Sequence, residues 1–196
     1  MADPDAVRLA IHAVLSRVRE AASAISRPYS RYAPAFHLLS SLAEGSDRLA
    51  ADSALSLGYQ LHCPLPLSKD AYAHDFDGAA SRAEFRSLIE RATDVFVVQD
   101  HTAASGVPDD SREAAYERAG RYVVQFSDLL VTVWDGEELR GRGGTAQMVD
   151  EAIDRGLPIA WIPLDDPRRI RIRTTEGESD DPEAIARIVR TVLDGK

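Results

Sequence analysis

Apolar residues recur at steps of three and four from the start of the chain. Val7, Ile11, Val14, Val18, Ala22 and Ile25 form the stripe of an amphipathic helix, opened by Asp3 and Pro4. After a loop around Arg27–Pro34 the pattern shortens. Ala35–Ser40 predicts a buried strand, a helix carrying Leu49, Ala50, Ala54 and Leu57 stops at Gly58, and Tyr59–Cys63 predicts the next strand. Pro64 and Pro66 are expected to break regular structure. Beyond them, Leu67–Phe76 holds a short helix, and Phe85, Leu88, Ile89 and Ala92 mark one face of a longer one. Asp94–Gln99 reads as a strand, His101–Asp110 as a loop, and Ala115, Ala119, Tyr122, Val123 and Phe126 as the inward face of another helix. Leu129–Trp134 is the clearest strand. The polar, glycine-bearing stretch Asp135–Gly144 leads to a helix that buries Met148, Val149, Ala152 and Ile153, and Ile159–Ile162 follows as a strand. Within Asp165–Arg173, Ile170 and Ile172 alternate with arginines as in an edge strand, and Thr174–Asp181 reads as a solvated acidic loop. Ile185, Ile188, Val189, Val192 and Leu193 make the closing helix amphipathic.

Short, nearly uniformly apolar strands separated by helices predict an α/β fold with a mostly parallel sheet, flanked by helices on both faces in a Rossmann-like arrangement. With 196 residues, 44% of them hydrophobic and 28% charged, residues 1–196 suit a single domain with a substantial core. The longest apolar runs, Leu129–Trp134 and Leu157–Leu164, are too short to cross a bilayer. The opening MADPDAV lacks the basic and apolar segments of a secretion signal, so no membrane partner is expected and the cytoplasm is the expected compartment. A net charge of −9 repels a phosphate backbone, which argues against duplex nucleic acid. The single cysteine, Cys63, rules out an intramolecular disulfide and a Cys-based zinc site. Its apolar neighbours suggest a buried thiol rather than a nucleophile activated by His62 or His37.

In a parallel α/β sheet, ligands bind beyond the carboxyl ends of the strands, so chemistry is sought in the strand-to-helix loops. The first is Ser40–Arg48. Ser40 and Ser41 end a strand, Gly45 permits tight backbone geometry, and Ser46 or Asp47 can cap a helix whose free N–H groups favour an anion. The second runs from Trp134 through Asp135 and Gly136 to Arg140, Arg142, Gly143, Gly144 and Thr145. Its paired glycines let a backbone approach a phosphate, Thr145 supplies a hydroxyl, and the arginines can clamp oxygens. Glycine loops ahead of helices also arise simply from turn and cap geometry.

SSLAEGSDRLAADSALSLGYQLHCPLP with YAHDF, and later SDLLVTVWDG with GRGGTAQMVDEA, resemble the SLOG superfamily. That superfamily includes the Lonely Guy phosphoribohydrolases and DNA-processing protein A, and its small bacterial nucleotide-sensor-like members are the most similar. The resemblance covers roughly Ala35 to Ile162. It implies a Rossmann-like sheet that binds a nucleotide or nucleotide-derived ligand, such as an ADP-ribose derivative, between the two loops, with no other cofactor required. Members usually open with a strand and a short glycine loop, whereas this sequence starts in the helix that follows, so the usual first strand is expected to be absent. The phosphoribohydrolases carry PGGxGTxxE with a catalytic glutamate; counting from Gly144 and Thr145, that position here is Met148. Asp150 and Glu151 lie further along the helix.

Glu44 is either a ligand-facing carboxylate for ribose hydroxyls or an exposed charge at a helix start, and Asp135 is either ligand-facing or part of an Asp-Gly turn. Asp47 reads foremost as a cap with Arg48 as ion-pair partner. Lys69, Asp70, Tyr72, His74 and Asp75 form a polar cluster that suits a surface helix closing the cleft better than a metal site. His12, His37, His62 and His101 are scattered singly. Tyr116 and Tyr122 read as core or interface aromatics. Three functions are compatible with this pattern. The first is binding or sensing of a small-molecule nucleotide. The second is N-glycosidic hydrolysis or deoxyribosyl transfer using Glu44 or Asp135. The third is a non-catalytic interaction module, such as a homo-oligomer, in which the glycines serve only turns. The missing glutamate favours binding over catalysis.

Overall fold

The first amphipathic stretch forms α1 (Pro4–Ser26), with Val7, Ile11, Val14 and Leu15 fully inside. The structure, a computed structural model, describes residues 3–26, 34–99, 111–137 and 144–194. The predicted loop His101–Asp110, most of Arg27–Pro34, and Arg140, Arg142 and Gly143 lie outside the described residues.

From β1 (His37–Leu39) the chain runs through α2 (Ser46–Ser56) to β2 (Gln60–Leu65), then through α3 (Lys69–Ala73) and α4 (Gly78–Arg91) to β3 (Asp94–Val97). These three strands form a parallel sheet in the order β1-β2-β3. Helix α5 (Arg112–Gln125) leads to β4 (Leu130–Trp134), and α6 (Thr145–Asp154) to β5 (Ile159–Pro163), which is parallel to β4. Then β6 (Arg171–Thr174) and β7 (Gly177–Ser179) add antiparallel strands, giving a second sheet β4-β5-β6-β7, and α7 (Ala184–Leu193) closes the chain. The fold is α/β, with its strands divided between two hydrogen-bonded sheets. No described helix is long and apolar enough to cross a membrane.

Three predicted features are corrected. The strand after Tyr59 does not stop at the prolines but runs through Pro64. Gln60 and His62 bond to β1, so Pro64, in the same alternation, faces the β1 side beyond Leu39, where pairing has ended and the missing N–H costs nothing. The acidic loop Thr174–Asp181 contains β7, joined to β6 by a tight hairpin in which Thr174 pairs with Gly177 and Gly177 has φ of 130°. The third is Phe126, predicted inward but 56% exposed; it lies just past the end of α5 and stacks on Tyr122 at 4.4 Å.

The packing follows the helix stripes. Helices α1 and α7 bury Ile11, Val14, Ile185 and Ile188 against Ala160, Ile162 and Ile172 of β5 and β6. Leu61, Cys63 and Leu65 of β2 meet Tyr72, Phe76, Phe85 and Leu88. Val149 and Ala152 of α6 cover Leu130 and Ile159. Cys63 is the buried thiol anticipated, its pKa pushed up to about 12, first by burial and then by the charge of Asp94.

Candidate functional site

The chain builds outward from β1 to β3 and then returns to start β4, which pairs away from the first sheet. Between β1 and β4 lies a cavity of about 750 Å³. Ser40, Ser41, Ala43, Ser46 and Asp47 of the first loop and Gly144 and Thr145 of the second line it together. Both loops follow the carboxyl ends of their strands, so one cleft mouth receives the amino ends of α2 and α6.

The first loop is held in a constrained shape. Ser40 Oγ donates to Asp47 Oδ2 at 3.2 Å and accepts the Leu42 N–H at 3.1 Å, while Ser41 Oγ donates to the Pro64 carbonyl at 2.9 Å. Leu42 takes φ of 59°, the left-handed region that a branched side chain normally avoids. Full burial of its side chain and the bond to Ser40 offset that strain. The cap of α2 is Gly45 rather than Ser46 or Asp47, and its φ of 94° is one that glycine alone adopts without penalty.

Arg48 anchors the loop from below. It is only 2% exposed, donates to the Leu42 carbonyl at 3.2 Å and the Ser81 carbonyl at 3.0 Å, and pairs with Glu84 at 2.8 Å. Its guanidinium also lies 4.3 Å from the Phe76 ring centroid. The expected Asp47–Arg48 ion pair is therefore not the contact made; Arg48 reaches α4 instead. A fully buried arginine was not legible in the sequence, because LAEGSDRLAA places it among small residues that look like an exposed helix turn.

Asp47 has its carboxyl pKa raised, chiefly by burial, against the opposing bonds from Ser40 and Ala43 and the nearby Arg48 charge. The folded state thus holds this proton more tightly than the unfolded chain does. The associated stability is fully present below the unfolded value of about 3.8 and is lost as pH rises through the folded pKa. Asp47→Asn, which cannot ionise, should therefore gain on the wild type between acid and neutral pH. Urea unfolding at both ends of that range checks this; an unchanged difference would show that Asp47 is not linked to folding.

Tyr72, which sequence reading placed in a surface cluster, is 1% exposed and lines the cleft. Its hydroxyl is buried without a hydrogen-bond partner, and its pKa is driven upward by burial and then by the charge of Asp47. An unpartnered buried hydroxyl on the wall of a cleft is what a ligand oxygen would satisfy. Tyr116 also lines the cleft, its hydroxyl donating to Asp75, which pairs with Arg112 at 2.6 Å.

Of the other residues singled out in the sequence, some line the cleft and some do not. Glu44 is exposed and accepts from the Ser81 hydroxyl on α4. Asp135 accepts the Glu137 N–H at 3.0 Å in a turn where Gly136 has φ of 81°. Asp135 lines a separate cavity with Asp3, Leu164 and Asp165. Met148 lines the main cleft, whereas Glu151 lies 3.4 Å from Arg155. His37 and His62 are not isolated: Nδ1 of one lies 2.9 Å from Nε2 of the other across β1 and β2. Among the described residues, no cluster of histidine, cysteine and carboxylates could hold a metal ion. Comparison with known proteins found no matching family model and no matching curated protein.

Proposed function

We propose that this protein binds a nucleotide or nucleotide-derived ligand at the carboxyl edge of a Rossmann-like, doubly wound sheet, as its resemblance to SLOG proteins implies. The observation that carries the reading is the convergence of both loops on one cleft mouth beside the unpartnered Tyr72 hydroxyl. A crevice where strand order reverses is where such sheets bind ligands. Phosphate oxygens would meet the free N–H groups of α2 and α6 and the Thr145 hydroxyl, and Ser46 and Tyr72 would meet further oxygens. Despite the net charge of −9, this attraction is local, built from aligned amides. Binding is favoured over N-glycosidic cleavage because Met148 stands on the cleft where the related hydrolases carry their glutamate.

Thermal melting against mono-, di- and cyclic nucleotides, ADP-ribose derivatives and a nucleoside control tests the proposal. A ligand that binds only the native state raises the midpoint, by an amount equivalent to about 2.7 kcal/mol at a hundred times its Kd. Stabilisation by a phosphorylated ligand but not by the nucleoside is the expected result; a flat panel would speak against a nucleotide site.

A further inference from the structure

The outer edge of the first sheet is β3. Val98 N donates to the Leu65 carbonyl, and Leu65 pairs with Val97 in the parallel register, so Phe96 and Val98 direct their backbone groups toward β2. By the alternation of a strand, Val95 and Val97 point theirs outward, where no strand of the described residues pairs with them. Edge strands are ordinarily blunted by shortness, by lysine or proline, or by an inward-pointing charge. At the far edge of the second sheet β7 follows that rule, with only three residues, Glu178 among them. The segment Asp94–Gln99 does not: between the aspartate that opens it and the glutamine that ends it, it reads Val-Phe-Val-Val. Its flanks are apolar as well. Phe96 packs edge-on against Tyr122 at 5.2 Å, Tyr122 stacks on Phe126 at 4.4 Å, and Phe126 is 56% exposed. On the opposite face of the strand Val97 is 39% exposed.

We propose that β3 pairs antiparallel with β3 of a second copy of this chain, about a two-fold axis at Phe96, so that the two three-stranded sheets become one. In that register Val95 and Val97 each exchange both backbone bonds with Val97 and Val95 of the second copy, which satisfies every outward group of the edge. The two Phe96 residues face each other in the close, non-hydrogen-bonded pairing. Asp94 lies opposite Val98 of the second copy, so like charges are kept apart. Both copies carry α5 on the same side of the joined sheet, which brings the two Phe126 rings toward the axis beside the Phe96 pair; on the other side Val97 of one copy lies next to Val95 of the other. A lone peptide strand would satisfy the backbone edge and leave Phe126 uncovered, whereas a second copy covers both at once. The strand edge, Val97 and Phe126 together bury on the order of 1,000 Å² over both copies, the lower end for a specific interface, so the dimer is a reversible one. Each copy carries a net charge of −9, so the two repel at a distance and salt should tighten their association. A basic partner would show the opposite salt dependence. This inference does not rest on nucleotide binding.

Sedimentation equilibrium of the full chain, from roughly 1 to 500 μM and in low and high salt, tests the proposal. The expected result is a monomer–dimer equilibrium in the micromolar range that tightens several-fold with salt. Val97→Lys puts a charge in the middle of the edge and should weaken the dimer by at least about 30-fold. Its side chain is already 39% exposed, so the monomer should melt close to the wild type. Phe126→Ser, at a more exposed position, should weaken the dimer about 10-fold and carries the test if the lysine variant does not fold. Phe96→Cys, on the axis, should oxidise to a disulfide-linked dimer, because directly opposed non-hydrogen-bonded residues stand about 4.5 Å apart at Cα. Cys63 is buried and does not compete. Asp94→Cys, opposite Val98, should not cross-link. A chain that is monomeric at every concentration would overturn the inference. So would a dimer untouched by Val97→Lys and Phe126→Ser, a dimer loosened by salt, a larger assembly, or cross-linking through Asp94→Cys in place of Phe96→Cys. None of these readings involves a nucleotide, so failure here and failure of the nucleotide panel are distinguishable.

Discussion

Arg48→Ala is expected to lower the melting midpoint by roughly 10 °C, from a loss of about 3 kcal/mol in a domain of this size. The exposed side of the Glu84 pair contributes little, since Glu84 is 51% exposed. The cost comes from elsewhere. Truncation leaves the Leu42 and Ser81 carbonyls without the donor they bond, strips the face of Phe76, and opens a void among Phe76, Leu42 and Ser81. Because Leu42 is held at positive φ partly through its carbonyl, the loop should relax as well, and ligand affinity should fall with stability. Arg48→Lys reproduces the charge but not the forked geometry and should recover only part of the loss. Differential scanning calorimetry of the three proteins reads this directly; a variant melting within a degree or two of wild type would mean that the loop is anchored by Ser40 and Ser41 alone.

Gly144→Asp is expected to separate binding from folding. Gly144 is exposed and caps α6 with φ of −77° and ψ of 170°, extended backbone open to any residue. Aspartate is a better cap than glycine and suits the positive end of the helix, so the unliganded variant should melt at or slightly above the wild-type midpoint. The carboxylate would, however, occupy the amides meant for the ligand and repel a phosphate at close range. Like charges brought together in a binding site cost several kcal/mol, so affinity should drop on the order of 100-fold. Gly144→Asn supplies a neutral cap of the same shape and should retain more affinity than aspartate. Equilibrium titration of the phosphorylated ligand found by melting settles the order; equal affinities across the series would remove α6 from the site.

How far these residues were legible beforehand depends on what kind of signal each carries. Helices written as long stripes, such as Val7 to Ile25, and strands written as apolar runs, such as Leu130–Trp134, could be read because periodicity and burial go together. Gly45, Gly144 and Ser40 could be placed on strand-to-helix loops because such loops announce themselves by composition. Tyr72 could not, since its neighbours Lys69, Asp70 and His74 are exposed and only the three-dimensional packing of Phe76 and Phe85 around its ring buries it. Pro64 misled for a similar reason. Whether a proline ends a strand depends on which side its nitrogen faces and where the neighbouring strand stops, and neither is local information. Glu44 looked like a site residue by position, yet the Ser81 hydroxyl on a helix far along the chain draws it aside.

The most direct measurement is hydrogen exchange of Ala43–Asp47 and Gly144–Ala146, with and without the nucleotide that stabilises the protein. Binding between the loops should protect both segments together, in one ligand-dependent step. Protection of one segment alone, or of neither, would contradict a shared site at the cleft mouth.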